Sequence, residues 1–284
     1  MSSFLPVRIT KMSGAGNTFA LIDARDSSVW KNVEKDLHIS RPEFAKKVCD
    51  TVLGVATDGL LLIETGSDGF DFNWDFYNND GSTAEMCGNA ARCAARYCQE
   101  NLANELKSIR FKTGAGLVTA EILGDGRVRV RMPEAKYVRE SIELKTQSSS
   151  TETFALVNTG VPHLVQKIHT MEDVENLKEM ARECRSHVDL KPAGANVTFY
   201  TIENSKKIQA VTFERGVEDY TLACGTGAVA AALVHSKESK EKSIEVQMPG
   251  GIMMIQFVEG DTHPLMTGEA VFVGDFLYNL EVVR

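Results

Sequence analysis

Residues 76–95 read FYNNDGSTAEMCGNAARCAA, and residues 213–232 read FERGVEDYTLACGTGAVAAA. In both stretches a phenylalanine lies eleven residues before a Cys-Gly pair, so that Phe76 and Cys87 correspond to Phe213 and Cys224. Each copy predicts a strand that leads through a polar turn into Cys-Gly and then into an alanine-rich, buried helix. A unit of strand, loop and helix that occurs twice indicates a duplicated fold.

The sequence around these stretches predicts a mixed α/β (α+β) architecture. Short apolar or alternating runs predict strands, among them Val7 to Thr10, Leu60 to Glu64 and Ile208 to Phe213. Helical spacing predicts helices over Pro42 to Val52, Ala84 to Asn101 and Met171 to Ser186. The polar stretch Lys145 to Thr153, which contains three consecutive serines, is typical of a surface loop.

Composition excludes several classes of protein. The 284 residues carry a formal charge of −8, and no basic block with interleaved aromatic residues predicts a nucleic-acid partner. No apolar run approaches the roughly 20 residues that cross a bilayer, so we expect no membrane partner and a cytoplasmic location. The six cysteines include no pair spaced CxxC, and they are too sparse for a disulfide scaffold.

Cys87 and Cys224 differ from the other cysteines because each precedes a glycine at a predicted helix start. Free N–H groups and the helix dipole stabilise negative charge there, so they can bind a carboxylate and lower the pKa of a thiol. If the two copies face each other, the two sulfurs flank one α-carbon. One thiolate could then remove the α-proton while the opposite thiol delivers another, which inverts the carbon. The other cysteines are more typical of small buried apolar residues.

A set of ordered motifs resembles the diaminopimelate epimerase family. These are KMSGAGNTF from Lys11, GVATDGLLLIE from Gly54, NNDGSTAEMCGNAARC from Asn78, NTGVPH from Asn158, GANV from Gly194 and FERGVEDYTLACGTGA from Phe213. The resemblance extends from Lys11 to about Gly268. It implies cofactor-independent interconversion of LL- and meso-diaminopimelate in lysine and peptidoglycan precursor synthesis.

The resemblance also assigns roles to individual residues. It makes Cys87 and Cys224 the catalytic base and acid. The residues implied to bind the reacting carboxylate are Gly88, Asn89, Gly225 and Thr226, with Asn17 positioning the reacting end and His163 near the cysteines. The residues implied to bind the second amino-acid head group are Asn78, Asn196, Glu214 and Arg215, of which Arg215 suits a carboxylate and Glu214 an ammonium.

The family fold implies two pseudo-symmetric domains, each a β-barrel-like sheet around a central helix, with the active site in the interdomain cleft. We expect residues 1–122 with 272–284 to form the first domain and residues 123–271 the second. Family members are commonly homodimers. No GxGxxG segment, P-loop or lysine setting typical of pyridoxal phosphate occurs, so we predict no organic cofactor, and no metal.

Three alternatives remain open at this point. Ala90, Val161 and Tyr220 depart from the common family pattern, so the same two-thiol chemistry could act on another amino acid. An isomerase like the phenazine-biosynthesis relatives shares the fold, but not the paired cysteines. A metal-binding or redox protein could use Cys87, Cys93 and Cys98, although their spacing fits no common zinc pattern.

Overall fold

The computed structural model describes residues 6–83, 86–102, 106–114, 116–146 and 150–283. The chain divides into two compact units, Met1–Val130 with Glu269–Arg284, and Arg131–Gly268. None of the helices in the described ranges combines the length and the apolar character that crossing a bilayer requires.

The first unit is a mixed sheet that packs on one central helix. Its strands are β1 (Val7–Gly14), β2 (Asn17–Asp23), β3 (Gly59–Thr65), β4 (Phe72–Asn78), β5 (Ser108–Thr113), β6 (Gly116–Ile122), β7 (Val128–Arg131) and β17 (Val271–Tyr278). Its helices are α1 (Ser27–Leu37), α2 (Arg41–Cys49) and α3 (Gly88–Leu102), with a short 3-10 helix at Leu280–Val283. Helix α3 packs against β1, β2, β3, β5 and β6.

The second unit repeats this plan around a second helix. Its strands are β8 (Lys136–Lys145), β9 (Thr151–Asn158), β10 (Pro162–Lys167), β11 (Asn196–Asn204), β12 (Lys207–Glu214), β13 (Asp219–Thr221), β14 (Ser243–Met248), β15 (Gly251–Gln256) and β16 (Leu265–Gly268). Its helices are α4 (Lys178–Arg185) and α5 (Gly225–Ser239), with 3-10 helices at Met171–Leu177 and Val188–Leu190. Helix α5 packs against β9, β10, β11, β12, β14 and β15.

The strand pairings of the two units match step by step. Followed through its pairings, the first unit has the order β17-β1-β2-β3-β4-β5-β6-β7, and the second has β8-β9-β10-β11-β12-β14-β15-β16. In both, the successive pairings are antiparallel, antiparallel, parallel, antiparallel, parallel, antiparallel and antiparallel. Helices connect the strands of each parallel pair, as crossover geometry requires. The predicted duplication and the α/β fold of two similar units are confirmed.

Alanine makes the central helices narrow enough to lie inside their sheets. In α3 the fully buried alanines are Ala90, Ala91, Ala94 and Ala95, and in α5 they are Ala228, Ala230, Ala231 and Ala232. Small side chains let the surrounding strands approach the helix axis while the interior remains close-packed. The alanine-rich segments after both cysteines are therefore buried helices, as predicted.

Several local predictions differ from the structure. Helix α2 ends at Cys49 and not at Val52, because Asp50 leaves helical geometry and its carboxylate accepts the N–H groups of Val52 and Leu53. The first half of the helix predicted from Met171 is a 3-10 helix. Helix α1 was not predicted.

The predicted surface loop from Lys145 to Thr153 is shorter than expected. Strand β8 continues to Lys145 and β9 begins at Thr151, and Thr146 closes the turn by donating its N–H to the Ser150 carbonyl at 3.0 Å. Residues 147–149 of this loop lie outside the described residues, as do residues 84 and 85 at the start of the helix predicted from Ala84.

Candidate active site

Cys87 lies at the N-terminus of α3, where the repeat predicted a helix start. Its carbonyl oxygen accepts the first helical hydrogen bond, from the Ala91 N–H at 2.8 Å, and Gly88 is the first helix residue. Its side chain is half-buried. Because the first N–H groups of a helix have no acceptor within the helix, this end of α3 is suited to an anion.

Cys224 has the equivalent place in the second unit. It is the N-cap of α5 in an extended conformation, and its carbonyl accepts from the Ala228 N–H at 2.9 Å. Cys224 is only 4% exposed, so it is more enclosed than Cys87 is. The two copies therefore place a thiol at the same position of two equivalent helices.

Asn17 connects Cys87 to a carboxylate that the sequence did not single out. The Cys87 thiol donates to Asn17 Oδ1 at 3.8 Å, while Asn17 Nδ2 donates to Asp58 Oδ2 at 2.9 Å. The same oxygen of Asp58 accepts from the Thr18 N–H at 2.7 Å and from the Thr18 hydroxyl at 3.0 Å. Three donors from the start of β2 thus converge on one carboxylate oxygen.

Asn89 is held by a buried arginine in the first turns of α3. Arg92 is fully buried, and its Nη2 donates to Asn89 Oδ1 at 2.9 Å while its Nε donates to the Glu269 carbonyl at 3.0 Å. Burial lowers the pKa of Arg92, although a guanidinium remains protonated in proteins. Since a guanidinium has only donors, it fixes the Asn89 amide with its oxygen toward Arg92.

Gly14 allows β1 to approach this turn closely. A Cβ at Gly14 would lie 2.9 Å from the Asn89 carbonyl oxygen, which is backbone and cannot swing away. The lack of a side chain at position 14 is therefore required for the helix start to sit where it does.

Thr226 joins Cys224 to His163 in the second unit. Its hydroxyl lies 3.4 Å from Cys224 Sγ and 3.0 Å from His163 Nε2. His163 is completely buried, and its Nδ1 lies 2.9 Å from Thr198 Oγ1. Burial, with a smaller effect from the positive charge of Arg215, lowers the pKa of His163 to about 3. The imidazole is therefore neutral at pH 7.

Asn196 determines which nitrogen of His163 carries the proton. The Arg215 N–H donates to Asn196 Oδ1 at 2.9 Å, which turns Asn196 Nδ2 toward His163 Nε2 at 3.4 Å. Because an amide NH₂ group only donates, Nε2 acts as the acceptor and the proton is on Nδ1. His163 then donates to Thr198, whose hydroxyl lies 3.1 Å from that of Thr212.

The residues predicted for the second head group are found in both units. Burial raises the pKa of Glu214, while a hydrogen bond from Thr221 opposes the shift. Arg215 Nη1 donates to the Ala193 carbonyl at 2.6 Å. In the first unit, Asn78 Nδ2 donates to Ser82 Oγ at 3.0 Å within the turn that follows β4.

Within each unit, the structure brings several predicted residues together. In the first unit these are Asn17, Cys87, Gly88 and Asn89, and in the second unit Cys224, Gly225, Thr226, His163, Asn196 and the backbone of Arg215. Sequence reasoning missed Asp58, Arg92 and Thr198. Two of the three had a signal in the sequence: Asp58 directly precedes a predicted strand, and Arg92 lies inside an alanine-rich helix.

The departures from the family pattern differ in their surroundings. Ala90 is fully buried in α3. Tyr220 donates its hydroxyl to the Val174 carbonyl at 2.8 Å, and its ring packs at 5.6 Å from that of Phe213. The Val161 carbonyl accepts from the Thr159 N–H at 3.2 Å.

All six cysteines are free thiols, and Cys93 and Cys98 are buried in α3. Across the part of the chain that the structure describes, no three His, Cys, Asp or Glu side chains are grouped so that they could hold a metal ion.

Comparison with known proteins agrees with the sequence motifs. The family model described as diaminopimelate epimerase matches residues 9–138 and 155–273. The diaminopimelate epimerase of Aquifex aeolicus is 38% identical over 282 residues, which cover 96% of this chain and 98% of that protein. The chain belongs to the diaminopimelate epimerase family. The rival resemblance to phenazine-biosynthesis isomerases therefore concerns the fold alone.

Two further relatives support this assignment, and a solved structure shares the fold. The diaminopimelate epimerase of Hydrogenobaculum is 41% identical over 228 residues, covering 79% of this chain and 81% of that protein. The chloroplastic diaminopimelate epimerase of rice is 34% identical and covers 96% of this chain and 80% of its own length. A phenazine biosynthesis protein of Bacillus anthracis has the same fold, with a TM-score of 0.68 at 14% identity over 95% of this chain and 98% of that one.

Proposed function

We propose that this protein is an epimerase that interconverts LL- and meso-diaminopimelate with Cys87 and Cys224 as the acid and base. The observation that supports this most directly is the equivalent position of the two thiols. Each lies at the N-cap of the central helix in a copy of the duplicated fold, in a chain that belongs to the diaminopimelate epimerase family.

Inversion at a carbon requires an acid and a base on opposite faces. A single group that removed and returned the proton on one side would restore the starting stereoisomer. In the proposed reaction one cysteine is a thiolate and takes the α-proton, while the other is a thiol and gives its proton to the opposite face. The two cysteines exchange these states in each turnover, and the reverse reaction uses them in the opposite roles.

The α-proton of an amino acid is only weakly acidic, so charge that develops on the carboxylate must be stabilised. The N–H groups that follow each cysteine, at Gly88, Asn89, Gly225 and Thr226, are donors suited to that charge. No cofactor is needed for this chemistry.

The second head group of the substrate is assigned to Asn78, Asn196, Glu214 and Arg215. A zwitterionic amino-acid group has one carboxylate and one ammonium, which match the charges of Arg215 and Glu214. The half-buried position of Glu214 strengthens a charge-assisted hydrogen bond to an ammonium, because nearby solvent is reduced.

The family resemblance extends the proposal to the cellular setting. We place the reaction in lysine and peptidoglycan precursor synthesis in the cytoplasm, and we expect a homodimer. Sedimentation at several protein concentrations would distinguish a dimer from a monomer.

Proton exchange in heavy water tests the reaction itself. The native protein, Cys87→Ala and Cys224→Ala are each incubated with LL-diaminopimelate under reducing conditions without added cofactor, and the α-carbon is examined for deuterium and configuration. We expect deuterium with inversion in the native protein and loss of inversion in both variants. Exchange of a different amino acid, with diaminopimelate untouched, would overturn the substrate assignment. Inversion that persists in either variant would overturn the two-thiol mechanism.

A further inference from the structure

Asp58 lies directly before β3, and its carboxylate faces the start of β2. Its Oδ2 accepts from Asn17 Nδ2, from the Thr18 N–H and from the Thr18 hydroxyl, all within 3.0 Å. The Asp58 side chain is exposed. Solvent therefore screens its charge, and any effect on a neighbouring group is carried mainly by its hydrogen bonds.

These hydrogen bonds determine the orientation of the Asn17 amide. An ionised carboxylate only accepts, so the amide must turn its NH₂ group toward Asp58. The amide oxygen then points to the other side, where Cys87 Sγ lies 3.8 Å away. An oxygen acceptor next to a sulfur favours the S–H form of the cysteine, whereas an NH₂ group there would favour the thiolate.

The backbone around Asp58 is held on several sides. The Asp58 N–H donates to the Thr18 carbonyl at 2.9 Å, and its own carbonyl accepts from the Asn79 N–H at 3.0 Å. Just upstream, the Lys11 ammonium donates to the Val55 carbonyl at 2.8 Å and to the Ala56 carbonyl at 2.9 Å. Asp58 is therefore fixed by the fold and can orient its neighbour.

Two ionisable side chains of α3, those of Arg92 and Cys93, interact electrostatically with Cys87. Arg92 is a buried cation whose Nη1 lies 3.4 Å from the Gly88 carbonyl, one residue after Cys87, and it favours the thiolate. Cys93 is also buried, and burial raises the pKa of its thiol to about 12, so that it remains neutral. The Asn17 oxygen and the Arg92 charge thus act on Cys87 in opposite directions.

We infer that Asp58 is a positioning residue that holds the Asn17 oxygen toward the Cys87 sulfur and so favours the protonated form of Cys87. This inference rests on the proposed function of Cys87 as an acid and base. It gives Asp58 a part in the reaction without contact with the reacting atoms. In the resting protein Cys87 is then more readily the proton donor than it would be with a free amide.

A double-mutant cycle on the alkylation of Cys87 tests this role. Iodoacetamide modifies thiolates, and the pH midpoint of the reaction is read for Cys87 alone by peptide mass spectrometry, without substrate. The proteins are the native chain, Asp58→Ala, Asn17→Ala and the double variant. Asp58→Asn is the matched control, because its amide oxygen can accept the same hydrogen bonds but carries no charge. Cys93, which is fully buried, reports any unfolding.

We expect Asp58→Ala to move the midpoint to lower pH by about one unit, because the freed Asn17 amide can turn its NH₂ group to the sulfur. Asp58→Asn should stay close to the native midpoint, and Asp58→Ala should have no further effect in the Asn17→Ala background. Equal shifts with and without Asn17, or a shift in Asp58→Asn as large as in Asp58→Ala, would show a direct charge effect and overturn the inference. No shift in Asp58→Ala would also overturn it.

The alkylation cycle and the exchange experiment test separate claims, so that each claim can be overturned without the other. If the pH midpoint of Cys87 alkylation is the same in the native chain and in Asp58→Ala, and the native protein epimerises diaminopimelate, only the role of Asp58 is overturned. If the midpoint shifts as expected but the native protein leaves diaminopimelate unchanged, only the proposed function is overturned.

Discussion

The buried neutral His163 should make the second unit sensitive to mild acid. Its pKa is lowered from 6.5 to about 3 in the folded protein. Between these values the unfolded chain binds a proton that the folded chain does not, so the stability of the fold decreases as the pH falls below 6.5 toward 3. From pH 7 to pH 5 the loss attributable to this one residue is about 2 kcal/mol.

His163→Asn should abolish this part of the pH dependence, although it removes hydrogen bonds and lowers stability at every pH. Glu214, whose pKa is raised, titrates in both proteins and cancels from the difference between them. Both tryptophans, Trp30 and Trp74, lie in the first unit, so fluorescence would report the wrong part of the chain.

The suitable measurement is amide hydrogen exchange by mass spectrometry, on peptides from β10 and β11 at pH 7, 6 and 5 with correction for intrinsic exchange rates. The free energy of opening should fall more steeply with decreasing pH in the native protein than in His163→Asn. The same slope in both proteins would refute the reasoning, because it would mean that His163 titrates alike in the folded and unfolded chains.

Three further predictions concern the helix starts. Gly14→Ala should destabilise the protein by about 1–3 kcal/mol in thermal unfolding, because its methyl meets the Asn89 carbonyl, whereas Gly124→Ala, with open space around it, should be close to neutral. Arg92→Met should cost about 1–3 kcal/mol in urea unfolding, because the hydrogen bonds from Arg92 to the Asn89 oxygen and to the Glu269 carbonyl are lost. Thr226→Val should lower kcat by about tenfold or more, because His163 and Cys224 lose their shared hydroxyl, while Thr226→Ser should restore most of it.

The repeat in the sequence predicted the parts of the fold that depend on local pattern. Phe76 with Cys87, and Phe213 with Cys224, indicated two strand-to-helix junctions, and the structure places both cysteines at helix N-caps. Short apolar and alternating runs predicted strands such as β1, β3 and β12, and helical spacing predicted α2 and α3, because each such pattern reflects a single buried face.

The contacts that orient the side chains could not be predicted in this way, because they join residues far apart in the chain. Asp58 lies 41 positions from Asn17, and its role depends on the parallel pairing of β2 with β3. Arg92 lies in a helix that the sequence predicts to be buried, but its partners, Asn89 and the Glu269 carbonyl, are known only from the packing of α3. The tautomer of His163 depends on Asn196, which the pairing of β10 with β11 places opposite it.

The pairing of β17 with β1 affects the order in which the chain can fold during synthesis. The second unit is one continuous segment, whereas the first requires strands from both sides of it. A ribosome must therefore release all of Arg131–Gly268 before the last strand of the first unit becomes available. Domains usually complete folding from the N-terminus onward. Here the second unit, Arg131–Gly268, can finish folding first, while the edge of β1 that pairs with β17 is still unpaired. That unpaired edge is a target for chaperones that protect nascent strands.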